Sequence, residues 1–352
     1  MNSTNTAYRQ NYYKSLHGFA LVTAIVAVGL IVAGALVTST KSGDAVPDWP
    51  LSYGTLAPTM IGGILYEHSH RLIAGLTGIL ITILAIWLWR KYPNQKLRWL
   101  GVAAFLAVVF QAVLGGLRVL VVSTASVQNA AVSVTGISSI ETNRLIVAII
   151  HGCLAQSILA LLFAIVLFTS RSWLQERVTE FPGNPPRQLR GLSIILLSVV
   201  FGQLILGAVV RHTGAGLSIP DFPLAFGGLI PPFGNLPVNP YMPHPFSYHE
   251  YVVKVAVHFA HRLVGFSIVA FIVYLFVKYR SLPRLGKYVK ILTGLIVVQI
   301  FLGGLNIWTH ISILSTVLHV VTGSLILAGS VILVLWTGRS IKESVLQKEP
   351  VR

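Results

Sequence analysis

Long apolar runs alternate with short polar segments along the whole chain. The runs are continuous rather than alternating, which favours helices over barrel strands. At roughly 20 residues per bilayer span, eight runs qualify: 17–39, 63–89, 99–121, 143–169, 190–212, 251–277, 288–310 and 313–336. The first follows Arg9 and Lys14, as a signal peptide would. It is too long for an apolar signal core and lacks a clear cleavage site, so it is expected to be a span. The predicted class is an all-α integral membrane protein with eight transmembrane helices.

Composition agrees. Of the 352 residues, 54% are hydrophobic and 10% are charged, and mean hydropathy is +0.76. A soluble domain carries about 25% charged residues, so a soluble enzyme, a disordered chain and a coiled coil are excluded. A net charge of +16 would suggest nucleic acid in a soluble protein. Here the basic residues cluster between apolar runs, so no nucleic acid partner is expected and the partner is the lipid bilayer. Nineteen of the 26 Lys and Arg lie in the N-terminus, the 90–98, 170–190 and 278–290 loops, and the tail after 338. The other seven are Lys41, Arg71, Arg118, Arg144, Arg211, Lys254 and Arg262. Both termini are therefore expected to be cytoplasmic. The long segments 40–62, 122–142 and 213–250 then face outward, and the last outer turn, 310–312, is very short. A single cysteine, Cys153, allows no internal disulfide, iron–sulfur cluster or Cys-based zinc site within one chain.

The chain also repeats itself. VAGALVTSTKSGDAVPDWPLSYG (32–54) echoes ILGAVVRHTGAGLSIPDFPLAFG (205–227), and EHSHRLIAG (67–75) echoes HFAHRLVGF (258–266). QAVLGGL (111–117) echoes QIFLGGL (299–305), and the fourth and eighth helices carry HGCLA and HVVTG. The expected architecture is two tandem four-helix bundles, residues 1–180 and 181–352. Four spans per unit make it a parallel repeat rather than an inverted one.

Helices two and four of each unit carry an aligned histidine: His70 with His151, and His261 with His319. Each stands six to ten residues after its expected helix start, about 9–15 Å in at 1.5 Å per residue. Equal depth on neighbouring helices suits two imidazole ligands on one metal, the four His being iron ligands of two haems. Ionisable groups inside a membrane are costly and mark function. The plain alternative is four buried histidines, each hydrogen-bonded across its bundle. Small residues four positions later, Ala74, Ala155, Gly265 and Gly323, would leave clearance for a flat ligand. Arg71 and Arg262 directly follow a candidate ligand near the outer surface, where guanidinium would suit haem propionates. Their alternative role is an interfacial arginine reaching headgroups. Zinc, copper or di-iron would need more ligands than two His per unit.

Glu67, one turn before His70, has His258 as its counterpart before His261. It is a candidate catalytic proton acceptor, or alternatively a surface carboxylate paired with Arg71. His68 is expected to be structural, and His17, His212, His244, His249 and His310 to be ordinary. Asp48-Trp49-Pro50-Leu51 and Asp221-Phe222-Pro223-Leu224 look like loop segments that pack back over each bundle.

Taken together, Glu67-His68-Ser69-His70-Arg71, His261-Arg262, His151, His319 and the paired outer loops resemble the haem A synthase family over nearly the whole chain. The resemblance implies an oxidoreductase that converts the C8 methyl of haem O to a formyl group, giving haem A. The steps would be alcohol, gem-diol and loss of water. It implies substrate haem in the first unit, held by His70 and His151 with Glu67 important for catalysis, and a haem b cofactor in the second, held by His261 and His319. It places the protein in the bacterial cytoplasmic membrane. Its partners would be haem O, haem O synthase (protohaem farnesyltransferase), terminal oxidase assembly factors and an electron acceptor. Many members carry a cysteine pair in the first outer loop; this loop has none. The rival readings are a non-catalytic bis-His dihaem cytochrome that carries electrons, and a transporter, which would be colourless.

Overall fold

The computed structural model describes residues 11–93, 95–135, 139–175, 187–242 and 247–346. His244, Arg9, Arg177, Lys348, Arg352 and the expected unit boundary near 180 lie outside them. The described residues form ten α-helices and one 3₁₀ turn, Ala215–Leu217, with no strands. Eight helices are long and apolar enough to cross a membrane: α1 (Lys14–Ser39), α2 (Gly62–Lys91), α3 (Leu97–Ser123), α5 (Ile140–Thr169), α7 (Arg187–His212), α8 (Tyr248–Tyr279), α9 (Pro283–Trp308) and α10 (Ile313–Leu346). The two extra helices are α4 (Ala125–Thr135) and the short α6 (Arg171–Gln175). The segment 122–142 was expected to be a loop. Its helix α4 buries no residue, so it leaves no apolar face for a sequence pattern to report.

Local signals set several helix ends. Ser139 accepts from the Thr142 N–H and Ser247 from the Glu250 N–H, side-chain caps at the starts of α5 and α8. Ser312 does the same for Ser315 at the start of α10. Pro283 begins α9, where its missing N–H costs nothing.

Helices α1, α2, α3 and α5 pack in a closed ring, each against the next. Helices α7, α8, α9 and α10 close a second ring. The rings meet through α1 and α5 against α10, and α5 against α7. The first ring has its core around Leu16, Ile81, Leu88, Leu159 and Ile165. The second has its core around Leu196, Ile272, Val289, Leu333 and Trp336. Both cores lie toward the basic, expected cytoplasmic ends. The histidines lie toward the other end, under the outer loops.

Candidate functional site

The four histidines share one environment. His70 (α2) lies against Gly34 of α1, and His151 (α5) against Gly115 of α3. His261 (α8) lies against Gly207 of α7, and His319 (α10) against Gly303 of α9. A Cβ on these glycines would meet the imidazole Cε1 at 3.1, 3.2, 3.1 and 3.5 Å respectively. Every helix of each ring thus supplies either a histidine or the glycine that seats one. The sequence repeats contained these glycines, but nothing marked which ring each would face.

Nδ1 of each of the four histidines is buried and has no hydrogen-bond partner among the described residues. No hydrogen bond across the bundle reaches Nδ1 of any of the four rings among the described residues. A buried polar group left without a partner costs roughly 1–3 kcal/mol. The His261 and His319 ring centroids are 6.5 Å apart. One iron about 2 Å from each Nε2 would set imidazole centroids about 6 Å apart. Among the described residues no group of three or more His, Cys, Asp or Glu could hold a metal ion. Paired imidazoles therefore suit a metal that brings its remaining ligands with it, as haem iron does.

Counting from helix starts was the wrong measure of depth. His319 comes early in α10, whereas His261 stands well into α8, because α8 begins at Tyr248 in the loop region. Helix packing, not helix ends, sets the two rings level. The small residues four positions on also have a different use. Gly265 and Gly323 make room for the side chains of Gln203 and Gln299, whose Nε2 atoms lie 3.3 Å from where a Cβ would stand. Gln203 donates to the His261 carbonyl at 2.8 Å, and Gln111 donates to that of His151 at 2.9 Å. Polar side chains thus fill the clearance beside Gly265 and Gly323 that was expected for a flat ligand.

The outer loops fold back onto the rings. Asp48 accepts from the N–H groups of Tyr53 and Gly54, both at 2.8 Å, and Asp221 from Phe226 and Gly227 at 2.7 and 2.8 Å. Tyr53, Gly54, Phe226 and Gly227 all have positive φ, the mirror-image turn that glycine permits. Trp49 then lies on Gly116 and Phe222 on Gly304; a Cβ there would stand 2.7 and 2.8 Å from the ring. Each Gly-Gly pair therefore has two uses: one glycine seats a histidine and the next seats the loop aromatic.

Arg71 donates to the carbonyls of Asp48, Leu51 and Val46 at 2.8, 2.5 and 3.3 Å, and to Glu67 at 2.7 Å. Arg262 donates to the carbonyls of Asp221, Leu224 and Ile219 at 2.6, 2.8 and 3.0 Å. Its Nε donates to His258 at 3.1 Å. Both arginines clamp the outer loops, so most of their donors are engaged by main chain. Glu67 is buried, and its second oxygen accepts from the Val46 N–H at 3.0 Å. His258 sits 3.3 Å from the Ser218 hydroxyl. The Ile219 N–H also donates to His258 Nδ1 at 3.4 Å. His68 is structural, bonded to Ser52 at 2.8 Å and to the Leu56 carbonyl at 3.1 Å. His17 bonds the Thr169 hydroxyl, and His310 stacks on Tyr241.

Eight helices long and apolar enough to cross a membrane, with two pairs of glycine-seated imidazoles set among them, define a multi-pass membrane protein. Residues 62–331 match the family described as cytochrome oxidase assembly protein, COX15-CtaA. The chain is 28% identical to a protein named heme A synthase from Alkalihalophilus pseudofirmus, over 84% of this chain and 88% of that one. It is 29% identical to a heme A synthase from Geobacillus kaustophilus (87% and 86%) and to one from Halalkalibacterium halodurans (72% of each). The chain belongs to the COX15-CtaA family.

Proposed function

We propose that the protein is an oxidoreductase of haem A biosynthesis that converts the C8 methyl of haem O to a formyl group. The observation that carries this is the set of four imidazoles, each seated on glycine with a buried Nδ1 that has no partner among the described residues, in a chain whose relatives are named heme A synthase. Residues 1–180 form the unit for the substrate haem, with His70 and His151 as its ligands. Residues 181–352 form the unit for haem b, held by His261 and His319. A bound haem b would supply a nearby one-electron acceptor for the electrons that leave the substrate. Both termini face the cytoplasm, and the membrane is the bacterial cytoplasmic membrane. Haem O synthase and oxidase assembly factors are the expected neighbours, with an electron acceptor beyond haem b.

The chain's own residues have separable tasks. The imidazoles orient the substrate between α2 and α5. Arg71 and Arg262 hold the outer loops closed above the haem edges and keep Trp49 and Phe222 seated, which limits water. Glu67 is the proton acceptor. A carboxylate offers about four lone-pair sites; Val46 and Arg71 use two, and the rest remain for a proton or an ordered water. Each of two hydroxylations takes one oxygen from water and releases two electrons to the acceptor and two protons, turning the methyl into the alcohol and then the gem-diol, which loses water to give the aldehyde.

A non-catalytic dihaem cytochrome would use the same ligand pairs. Extracting haems from the purified protein and separating them by chromatography decides between the two. Haem O, haem A or a hydroxylated intermediate beside haem b is the expected result. Haem b alone, in cells that make haem O, would overturn the enzyme reading.

A further inference from the structure

Arg118 stands near the outer end of α3, and its surroundings differ from those of every other arginine near the histidines. It makes no hydrogen bond or ion pair among the described residues, and its Nε is buried. Its guanidinium lies on the backbone of Gly43: a Cβ there would stand 2.4 Å from Nη2 and 2.7 Å from Nη1. It stands three residues, about one turn, after Gly115, the glycine that seats His151. Its charge also reaches His70 and Arg211. Of the nearby carboxylates, Asp44 is paired with Arg144 and Glu67 with Arg71. Arg211 is anchored on α1, through the Ala35 carbonyl at 2.7 Å and the Ser39 hydroxyl at 2.9 Å. The second half of the chain thus contributes a cation, Arg211, to the first.

The second unit has nothing equivalent. The aligned residue of QIFLGGLN is Asn306, whose Oδ1 accepts from the hydroxyls of Ser315 and Thr316 at 2.7 and 3.1 Å. Arg118 is half-buried, and the two carboxylates whose charge reaches it, Asp44 and Glu67, are each bonded to another arginine, which leaves its own donors open to a further anion. The arrangement therefore calls for an anion beside His70 and His151. Guanidinium matches carboxylate by its paired donors, and haem O presents two propionates on one edge.

The geometry points to Arg118, held by Gly43 and flanked by Arg211, as the group that binds the propionate edge of the tetrapyrrole in the first unit. This rests on the substrate-haem reading of that unit. Arg71, whose donors are engaged by loop carbonyls, then keeps the loop closed while Arg118 recognises the acid. A lipid phosphate is the other anion that could reach this mouth, and the experiment separates the two.

Purified protein with its second-unit haem in place is titrated with haem O and with haem O dimethyl ester, and the gain in low-spin absorbance is followed. Wild type should bind the free acid about 10- to 100-fold more tightly than the diester, the range expected for losing charge-assisted hydrogen bonds. Arg118→Gln should remove that preference and leave the second-unit spectrum unchanged. Arg118→Lys should recover part of it, since it restores the charge without the paired donors. A full wild-type preference in Arg118→Gln overturns the proposal. So does a preference abolished by added phosphatidylglycerol but not by phosphatidylcholine, which would assign Arg118 to a headgroup. If Arg118→Gln loses the second-unit spectrum through misfolding, Arg118→Lys carries the test, and an unchanged preference there is the overturning result. A low-spin gain that survives in His70→Ala would instead overturn the substrate-haem reading itself, and this proposal with it.

Discussion

Glu67 and Arg71 form a 2.7 Å ion pair across one turn of α2, and both also hold the loop before that helix. The carboxylate takes the Val46 N–H and the guanidinium takes the Val46, Asp48 and Leu51 carbonyls. In the other half His258 and Arg262 clamp residues 218–224 in the same way. Loop closure is thus common to both halves, and only the first half does it with a carboxylate. A test of Glu67 must therefore separate closure from proton transfer.

Glu67→Gln preserves an acceptor for Val46 and removes the titration. The variant should insert, keep the haem held by His261 and His319, and accumulate haem O. A positioned acid–base group contributes on the order of 10²–10⁴ in rate, so haem A yield should fall by about that factor. His258→Gln should be milder. Haem analysis of membranes expressing each variant makes the comparison. Wild-type haem A production by Glu67→Gln would leave Glu67 as a loop clamp alone.

His261→Ala and His319→Ala should each abolish the low-spin haem b spectrum while the protein still inserts. Alanine supplies no ligand in place of the imidazole, and among the described residues no third His, Cys, Asp or Glu groups with the pair. A full low-spin spectrum in both single variants would refute the pairing.

Gly116→Ala places a methyl 2.7 Å from the Trp49 ring. Overpacking of this kind costs about 1–3 kcal/mol, here concentrated on the outer loop. Protease applied from outside should cut segment 40–62 faster than in wild type. Gly75→Ala, with nothing within 4 Å of its Cβ position, serves as the control and should cut at the wild-type rate.

Asp48 titrates in the loop. Burial pushes its carboxyl up, but the N–H groups of Gly54 and Tyr53 and the charge of Arg71 outweigh that and hold it below the usual carboxylate range. A depressed carboxyl stabilises the fold above its ordinary value of about 3.9, and that stability is lost as pH falls through the depressed value. Amide exchange at Tyr53 and Gly54, corrected for intrinsic rates, should stay flat from neutral to mildly acid pH and rise only below it. Asp48→Asn should show the faster exchange at every pH.

Residue 230 should lie outside the cell. Ile230 is exposed in the 213–250 segment. Ile230→Cys in a Cys153→Ser background should react with a membrane-impermeant maleimide added to intact cells. Labelling only after lysis would invert the topology.

Much of the fold could be read along the chain. The eight spans follow from run length, because bilayer thickness sets that length regardless of partners. The internal repeat aligned His70 with His261 and His151 with His319, and expected depth suggested one pair in each unit; the 6.5 Å approach of His261 and His319 is a tertiary fact. The sequence also singled out Glu67, Arg71 and Arg262, since charge within an apolar run is conspicuous. Only the tertiary structure decided what those groups touch. Arg71 and Arg262 bind loop carbonyls, and a carbonyl has no signature in residue identity. Gly34, Gly115, Gly207 and Gly303 seat the imidazoles, a pairing fixed by how neighbouring helices rotate against each other. In a helix that is apolar all round, periodicity does not report that rotation. Arg118 passed as one more outer-surface basic residue. It became distinctive only when packing placed it beside His70 and His151 and paired every nearby carboxylate with another arginine.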